Sequence, residues 1–205
     1  MIRAVLFDAD GVVQQPRAGW IDQLGKLSGR PAADEQKAFV AEIFASEQPS
    51  LSGQANFPET IDKVLRRWGS SSTVHDVISV FFMIDVIQET VSLIREIRAL
   101  GTPCYLASNQ EANRASYMSV QLGYAGIFDT EFYSCGMGAK KPEAAYFAAV
   151  ADGLSAPPEA LLLFDDKPEN VDAARNTGMA AELYHHTHGI AVLSRLLGRY
   201  SIPIS

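Results

Sequence analysis

The chain is short of cysteine, and its apolar runs are brief. Only Cys104 and Cys135 occur in 205 residues, and they form neither a Cys-x-x-Cys pair nor a disulfide framework. Both are read as small buried hydrophobes. The longest apolar run, residues 77–87, is interrupted by Ser79 and Asp85 and cannot span a bilayer. The amino terminus, Met-Ile-Arg-Ala-Val-Leu-Phe-Asp, lacks the basic region, long apolar stretch and small-residue cleavage site of a secretory signal. No export signal and two spaced thiols imply a cytoplasmic, reducing location. Basic charge is also in deficit, with 17 Lys and Arg against 24 Asp and Glu, a net charge of −7. That balance argues against nucleic acid or an anionic membrane as the main partner. At 47% apolar and 20% charged residues, the composition fits one ordered globular unit, or a core with one sizeable insertion.

What is present alternates between two periods. Five short runs rich in Val, Ile, Leu, Phe and Tyr read as buried strands: 4–7, 104–107, 131–134, 161–164 and 181–184. Helical patterns lie between them. One carries Ile87, Val91, Ile94 and Arg98 and ends at Gly101; a second, residues 111–122, ends at Gly123. Pro142 is expected to open a third, and Pro168 a fourth that closes at Gly178. Such alternation predicts a doubly wound α/β parallel sheet with right-handed crossovers.

Residues 15–85 break the pattern. They hold helical stripes, such as Ile61, Val64, Leu65 and Trp68, and no convincing strand. This stretch is expected to form a small all-helical insertion after strand 1, with residues 1–14 and 86–205 forming the core. An insertion there lies beside the strand ends where open α/β sheets bind ligands, well placed to act as a lid.

Carboxylates at strand ends are the strongest chemical signal. Asp8-Ala9-Asp10-Gly11 follows the first strand, and Asp165-Asp166 follows the fourth. Carboxylates beside apolar strands are costly unless compensated, and a hard divalent cation such as Mg²⁺ is the natural compensation. Ser108-Asn109 follows the second strand and suits a phosphate oxygen. Lys141, between the third strand and the next helix, supplies a point charge for an anion.

These strings, in order and each after its own strand, resemble the haloacid dehalogenase-like superfamily of hydrolases. The likeness is to its members with a helical cap inserted after the first strand. Phe7-Asp8-Ala9-Asp10-Gly11-Val12 is similar to motif I of that family and Leu106-Ala107-Ser108-Asn109 to motif II. Gly138-Ala139-Lys140-Lys141-Pro142 is similar to motif III, and the run from Phe164 through Asp165 and Asp166 to Arg175 to motif IV. The resemblance implies a Rossmann-like core and a Mg²⁺-dependent phosphatase acting on a small phosphorylated metabolite through an aspartyl-phosphate. It makes Asp8 the nucleophile and Asp10 the general acid and base. Mg²⁺ would be held by Asp8, the Asp10 carbonyl, Asp165 and Asp166, the last directly or through water. Ser108, Asn109 and Lys141 would bind the phosphoryl group, with Lys140 a solvated neighbour.

Asp10 separates the reaction classes. The family's dehalogenases lack an acid at this place because halide leaves without a proton, so phosphoryl transfer is favoured over carbon–halogen hydrolysis. A sugar-phosphate mutase uses the same core and stays open. Lys26, Lys37 and Lys63 offer lysines for phosphonate-type chemistry, but nothing marks one as desolvated. A non-catalytic binding protein is disfavoured because no motif residue is lost. Gln14, Gln15, Arg17 and Trp20 are candidates for the mouth of the site, and His185-His186-Thr187-His188 reads as loop. Substrate identity and oligomeric state are not written in the chain.

Overall fold

Ala4–Phe7 are apolar and buried on both faces, as a central strand of a parallel sheet requires; they form β1. The computed structural model describes residues 1–204. After β1 come β2 (Gln14–Pro16), α1 (Trp20–Lys26), α2 (Ala33–Glu47), α3 (Phe57–Trp68), α4 (Val74–Phe81) and β3 (Ile84–Val86). Next are α5 (Gln88–Ala99), β4 (Cys104–Ser108), α6 (Ala112–Ser116), α7 (Tyr124–Ile127), β5 (Thr130–Tyr133) and α8 (Ser134–Met137). The chain continues through α9 (Ala144–Gly153), β6 (Leu161–Asp165), α10 (Pro168–Asn176), β7 (Ala180–Leu183) and α11 (Ile190–Arg199).

The main sheet has the order β5-β4-β1-β6-β7 with every pairing parallel, so the doubly wound expectation holds. Alternation along the strands feeds two cores. Val5, Phe7, Leu106 and Phe164 pack with α5 and α11 on one face. Ala4, Leu6, Leu161 and Leu163 pack with α9 and α10 on the other. The strand order reverses at β1, and the crevice at that switch point is where such sheets place their ligands.

Helices α1–α4 bury their stripes against one another, with Leu24, Phe39, Ile43, Ile61, Val64, Val77 and Phe81 at the centre. Local caps set their ends: the Asn56 side chain accepts from Glu59 N, and Thr73 and Asp76 form a reciprocal capping box. Two details depart from the expectation of helices alone. A two-stranded antiparallel ribbon, β2 with β3, joins the helices to the sheet, pairing Gln14 with Val86 and Pro16 with Ile84. Each strand is only three residues long, too short for a period-2 pattern to register. A second contact is made by the 3₁₀ turn Gln48–Ser52, which packs on α8. There Gly53 comes so close that an added Cβ would lie 2.5 Å from the Cys135 carbonyl oxygen.

Two helix starts also differ from the sequence reading. Pro142 does not open α9; the helix begins at Ala144 with Glu143 at its N-cap, and Pro142 sits in the preceding turn. The helical segment expected at 111–122 is α6 running into a π turn at Tyr117–Gln121. Pro168 does open α10, as expected.

Candidate functional site

The carboxylates lie at the carboxyl ends of adjacent strands. Asp8 immediately follows β1, its N–H donating to Phe164 O at 2.9 Å, and Asp165 ends β6. Asp8 and Asp165 are buried and Asp166 is half-buried. One carboxylate oxygen from each of the three falls within 4.8 Å of the others.

Among the described residues, Lys141 is the only cation ion-paired with this group. Its buried Nζ lies 3.0 Å from Asp8 Oδ1 and 2.5 Å from Asp165 Oδ2, and it also donates to Ala107 O at 2.7 Å. Burial alone would lower its pKa, but the charges of Asp8 and Asp165 outweigh that and raise it, so it stays an ammonium. Burial raises the Asp8 carboxyl above its ordinary range; Lys141 pulls it down and Asp165 pushes it further up.

One ammonium among three carboxylates leaves negative charge uncompensated. Asp166 shows where: its Oδ1 is buried with no hydrogen-bond partner, and burial together with Asp165 raises its pKa. Three carboxylates with an oxygen each within 4.8 Å of the others, one of them carrying an unpartnered oxygen, are the oxygen-donor set a hard divalent cation takes. Gly11, at φ +82°, allows the motif I loop to approach; a Cβ there would meet Asp166 Oδ2 at 2.6 Å. Asp165 is held firmly, its Oδ1 accepting from Lys167 N and Asn170 Nδ2, both at 2.9 Å.

Asp10 is placed differently. Arg114 grips it in a bidentate pair, Nη1 to Oδ2 at 2.6 Å and Nη2 to Oδ1 at 2.8 Å. The Gln14 and Gln110 side-chain amides each add a donor at 3.0 Å. Burial would raise its pKa, yet the charge and hydrogen bonds of Arg114, aided by both glutamines, hold it down at about 2. Arg114 is set up by buried Glu111, whose carboxylate caps α6 through Asn113 N at 2.8 Å and Arg114 N at 2.6 Å. Arg114 Nε also donates to Phe81 O at 3.1 Å, tying the end of α4 to the site.

The expected anion-binding residues prove to be partly structural. Ser108 is buried, and its Oγ accepts from Gln110 Nε2 at 3.1 Å. The Asn109 side chain clasps the Lys141 backbone in both directions at 2.8 Å, which seats the lysine. Lys140, expected as a solvated neighbour, is partly exposed at the edge of the cleft and donates to Gln48 Oε1 at 3.0 Å.

Asp10, Asn109, Arg114 and Lys141 line a cleft of about 520 Å³. Trp20 reaches it as expected, but Gln14 does not belong to its mouth. Gln14 is fully buried, bracing Asp10 while accepting from Tyr124 Oη at 2.8 Å. Arg17 pairs with Asp85 across the ribbon at 3.0 Å. Glu47, from the end of α2, lines the cleft with its pKa raised to about 7, chiefly by burial. The histidine run forms a loop whose His186 N donates to Gly11 O at 2.7 Å, bracing motif I from behind.

The sequence reading missed Arg114, Gln110, Glu111 and Glu47. A lone arginine between Asn113 and Ala115, three residues after a glutamate, was the visible trace of the first. The other three are unremarkable in sequence and acquire meaning only from packing.

Fold and site together define a doubly wound α/β protein with a carboxylate-rich centre at its topological switch point. The chain belongs to the haloacid dehalogenase-like hydrolases, whose family model matches residues 2–178. It is similar in structure to a HAD-like family hydrolase from Porphyromonas gingivalis, with TM-score 0.80, 23% identity, and coverage of 96% of this chain and 98% of that one. A HAD family enzyme from Bacteroides thetaiotaomicron, in complex with magnesium and inorganic phosphate, gives TM-score 0.75 at 19% identity over 89% and 94% of the two chains. The L-2-haloacid dehalogenase of Xanthobacter autotrophicus gives 0.62 at 18% over 88% and 76%. In sequence, 59 residues are 39% identical to drimenol cyclase drtB of Aspergillus calidoustus, a segment that is 29% of this chain and 11% of that protein. No helix among the described residues is long and apolar enough to cross a membrane.

Proposed function

We propose that the protein is a Mg²⁺-dependent phosphomonoester hydrolase acting on a small phosphorylated metabolite, with Asp8 as nucleophile. The observation that carries this reading is Asp10: a carboxylate two residues beyond Asp8, lining the cleft beside Lys141, the partner of Asp8, and braced by four donors. An alcohol leaving group needs a proton and the following water must lose one, whereas halide needs neither.

The residues divide the work. An Asp8 oxygen attacks phosphorus, the ester P–O bond breaks, and an aspartyl-phosphate forms on Asp8. The departing oxygen takes a proton from Asp10, which then accepts one from the water that hydrolyses the aspartyl-phosphate. In the arrangement seen Asp10 is ionised on Arg114, the state for activating water; delivering a proton requires its carboxyl to come off the guanidinium. Lys141 holds Asp8 in line and neutralises a phosphoryl oxygen, while Asn109 fixes Lys141 and Ser108 offers a hydroxyl at the strand end. Asp8, Asp165, Asp166 and the Asp10 carbonyl would hold Mg²⁺, which when bound screens the anionic nucleophile from the anionic phosphate. Residues 15–85 act as a cap that excludes water, over a core of residues 1–14 and 86–205. The two free thiols suit a reducing, cytoplasmic setting.

The test is phosphate release from an aryl phosphate by wild type and Asp8→Asn, with Mg²⁺ or with chelator, alongside chloride release from 2-chloropropionate. Release of phosphate that requires Mg²⁺ and falls at least about a thousandfold in the variant is expected. Chloride release without phosphate release would assign the dehalogenase reaction instead. Phosphate turnover that survives in Asp8→Asn would remove the proposed nucleophile.

A further inference from the structure

The cleft has two unlike walls. Among the described residues, every ionisable side chain lining it comes from the sheet side, with the single exception of Glu47. The opposite wall, supplied by α1, α2, the Gln48–Ser52 turn and the end of α4, presents Trp20, Phe44, Leu51, Phe81 and Met83. We infer that the substrate is the phosphomonoester of an uncharged, largely apolar alcohol, whose leaving group lies against this wall while the phosphate sits on the carboxylate floor. The inference rests on the phosphatase reading and narrows it to a substrate class.

Three observations support it. First, the wall is rigid. Trp20 meets Phe44 edge-on at 5.7 Å and Phe81 at 6.0 Å, Phe44 meets Phe81 at 6.1 Å, and Phe57 backs Phe81 at 5.2 Å. Rings locked this way present a preformed apolar surface and lose little entropy on binding. Second, part of that surface is left wet. Trp20, Phe44, Leu51 and Met83 are only half-buried, although Leu24, Phe39, Ile43 and Phe81 beside them are fully packed. Apolar area held open beside a charged floor gains about 25 cal/mol per Å² when a ligand covers it. Third, the charge around the leaving group is unhelpful to a second anion. Among the described residues Glu47 is the wall's one ionisable group; the cleft's cations, Arg114, Lys140, Lys141 and Lys167, all belong to the sheet side, where Arg114 is engaged with Asp10, Lys141 with Asp8 and Asp165, and Lys140 with Gln48. The cleft, about 520 Å³, is of the size that takes a metabolite-sized group.

The experiment compares three esters with Mg²⁺ present: ethyl phosphate, 2-phenylethyl phosphate and 2-phosphoglycolate. The first two have primary alcohol leaving groups of similar acidity, so a difference between them reports binding rather than bond strength. Acetyl phosphate, whose leaving group is too small to reach the wall, serves as an internal reference. The expected result is a kcat/KM about thirtyfold higher for phenylethyl than for ethyl phosphate, expressed mainly in KM, with phosphoglycolate no better than ethyl. Leu51→Ala and Phe44→Ala should each lower the phenylethyl-to-ethyl ratio by about fivefold or more. Leu51 lies on a surface turn outside the buried helical core, so its variant remains informative if the Phe44 variant misfolds. Asp8-dependent turnover with equal kcat/KM for the two alkyl esters, or with phosphoglycolate preferred, overturns this inference and leaves the phosphatase reading standing. Failure to release phosphate from any of the four, acetyl phosphate included, overturns both.

Discussion

Arg114 holds Asp10 through two parallel hydrogen bonds, 2.6 and 2.8 Å long, while its Nε reaches across to the carbonyl of Phe81 at 3.1 Å. One side chain thus couples the acidic loop after β1 to the last turn of α4. The proposed general acid and the apolar wall of the cleft share a single anchor.

Arg114→Met should therefore injure more than one property. It strands the Asp10 carboxylate, removes a donor from Phe81 O and empties a nearly buried site. Because the Asp10 side chain keeps 36% exposure, the loss is set below that of a fully buried pair, at about 2–3 kcal/mol of unfolding free energy. Urea denaturation measures it. A loss under about 0.5 kcal/mol would show that the pair is energetically idle.

Asp166 yields a prediction with two signs. Its pKa is raised, so its ionised form is disfavoured in the folded chain without a cation. Asp166→Asn should then leave the metal-free protein as stable as wild type or more so. Millimolar Mg²⁺ should raise the melting temperature of wild type by several degrees and that of the variant by far less, since metal affinity falls about 10- to 100-fold when a supporting group is lost. Thermal scans with and without Mg²⁺ decide it; an equal Mg²⁺ shift in both proteins would remove Asp166 from the metal site.

Glu47 predicts a pH dependence of stability. Burial lifts its carboxyl from the ordinary 4.5 to about 7, with Arg114 and Lys140 opposing and Glu111 and Asp10 adding to the rise. Between those values the folded chain keeps a proton that the unfolded chain has released, so this group makes stability fall as pH rises from about 4.5 to about 7. Glu47→Gln should remove that component. The variant-minus-wild-type difference in unfolding free energy should grow in the variant's favour across the window and level off above it. A difference that is flat with pH would show that Glu47 titrates normally.

The legible part of this protein was whatever depends on short range. Four apolar residues running straight into Asp8, and four more into Asp165, place carboxylates at strand ends because side-chain burial and the polarity of a following turn are local matters. The order of those strings, each behind its own strand, was enough to read the sheet, the family likeness and the acidic centre from the sequence. Pro168 opened its helix where the pattern put it, but Pro142 did not, since the turn that seats Lys141 took that residue for itself.

Tertiary structure alone decided what those groups are paired with. Asp10 and Arg114 are 104 positions apart, and Gln14 and Tyr124 are 110 apart; no periodicity links residues that meet only after two crossovers have closed. The ribbon of β2 and β3 likewise joins two triplets some seventy residues apart, Gln-Gln-Pro and Ile-Asp-Val, held by backbone pairing that side-chain pattern does not encode. Sequence by itself determined which charges must be compensated. The fold determined by what: a buried lysine for Asp8 and Asp165, an arginine for Asp10, and for Asp166 an oxygen left without a partner.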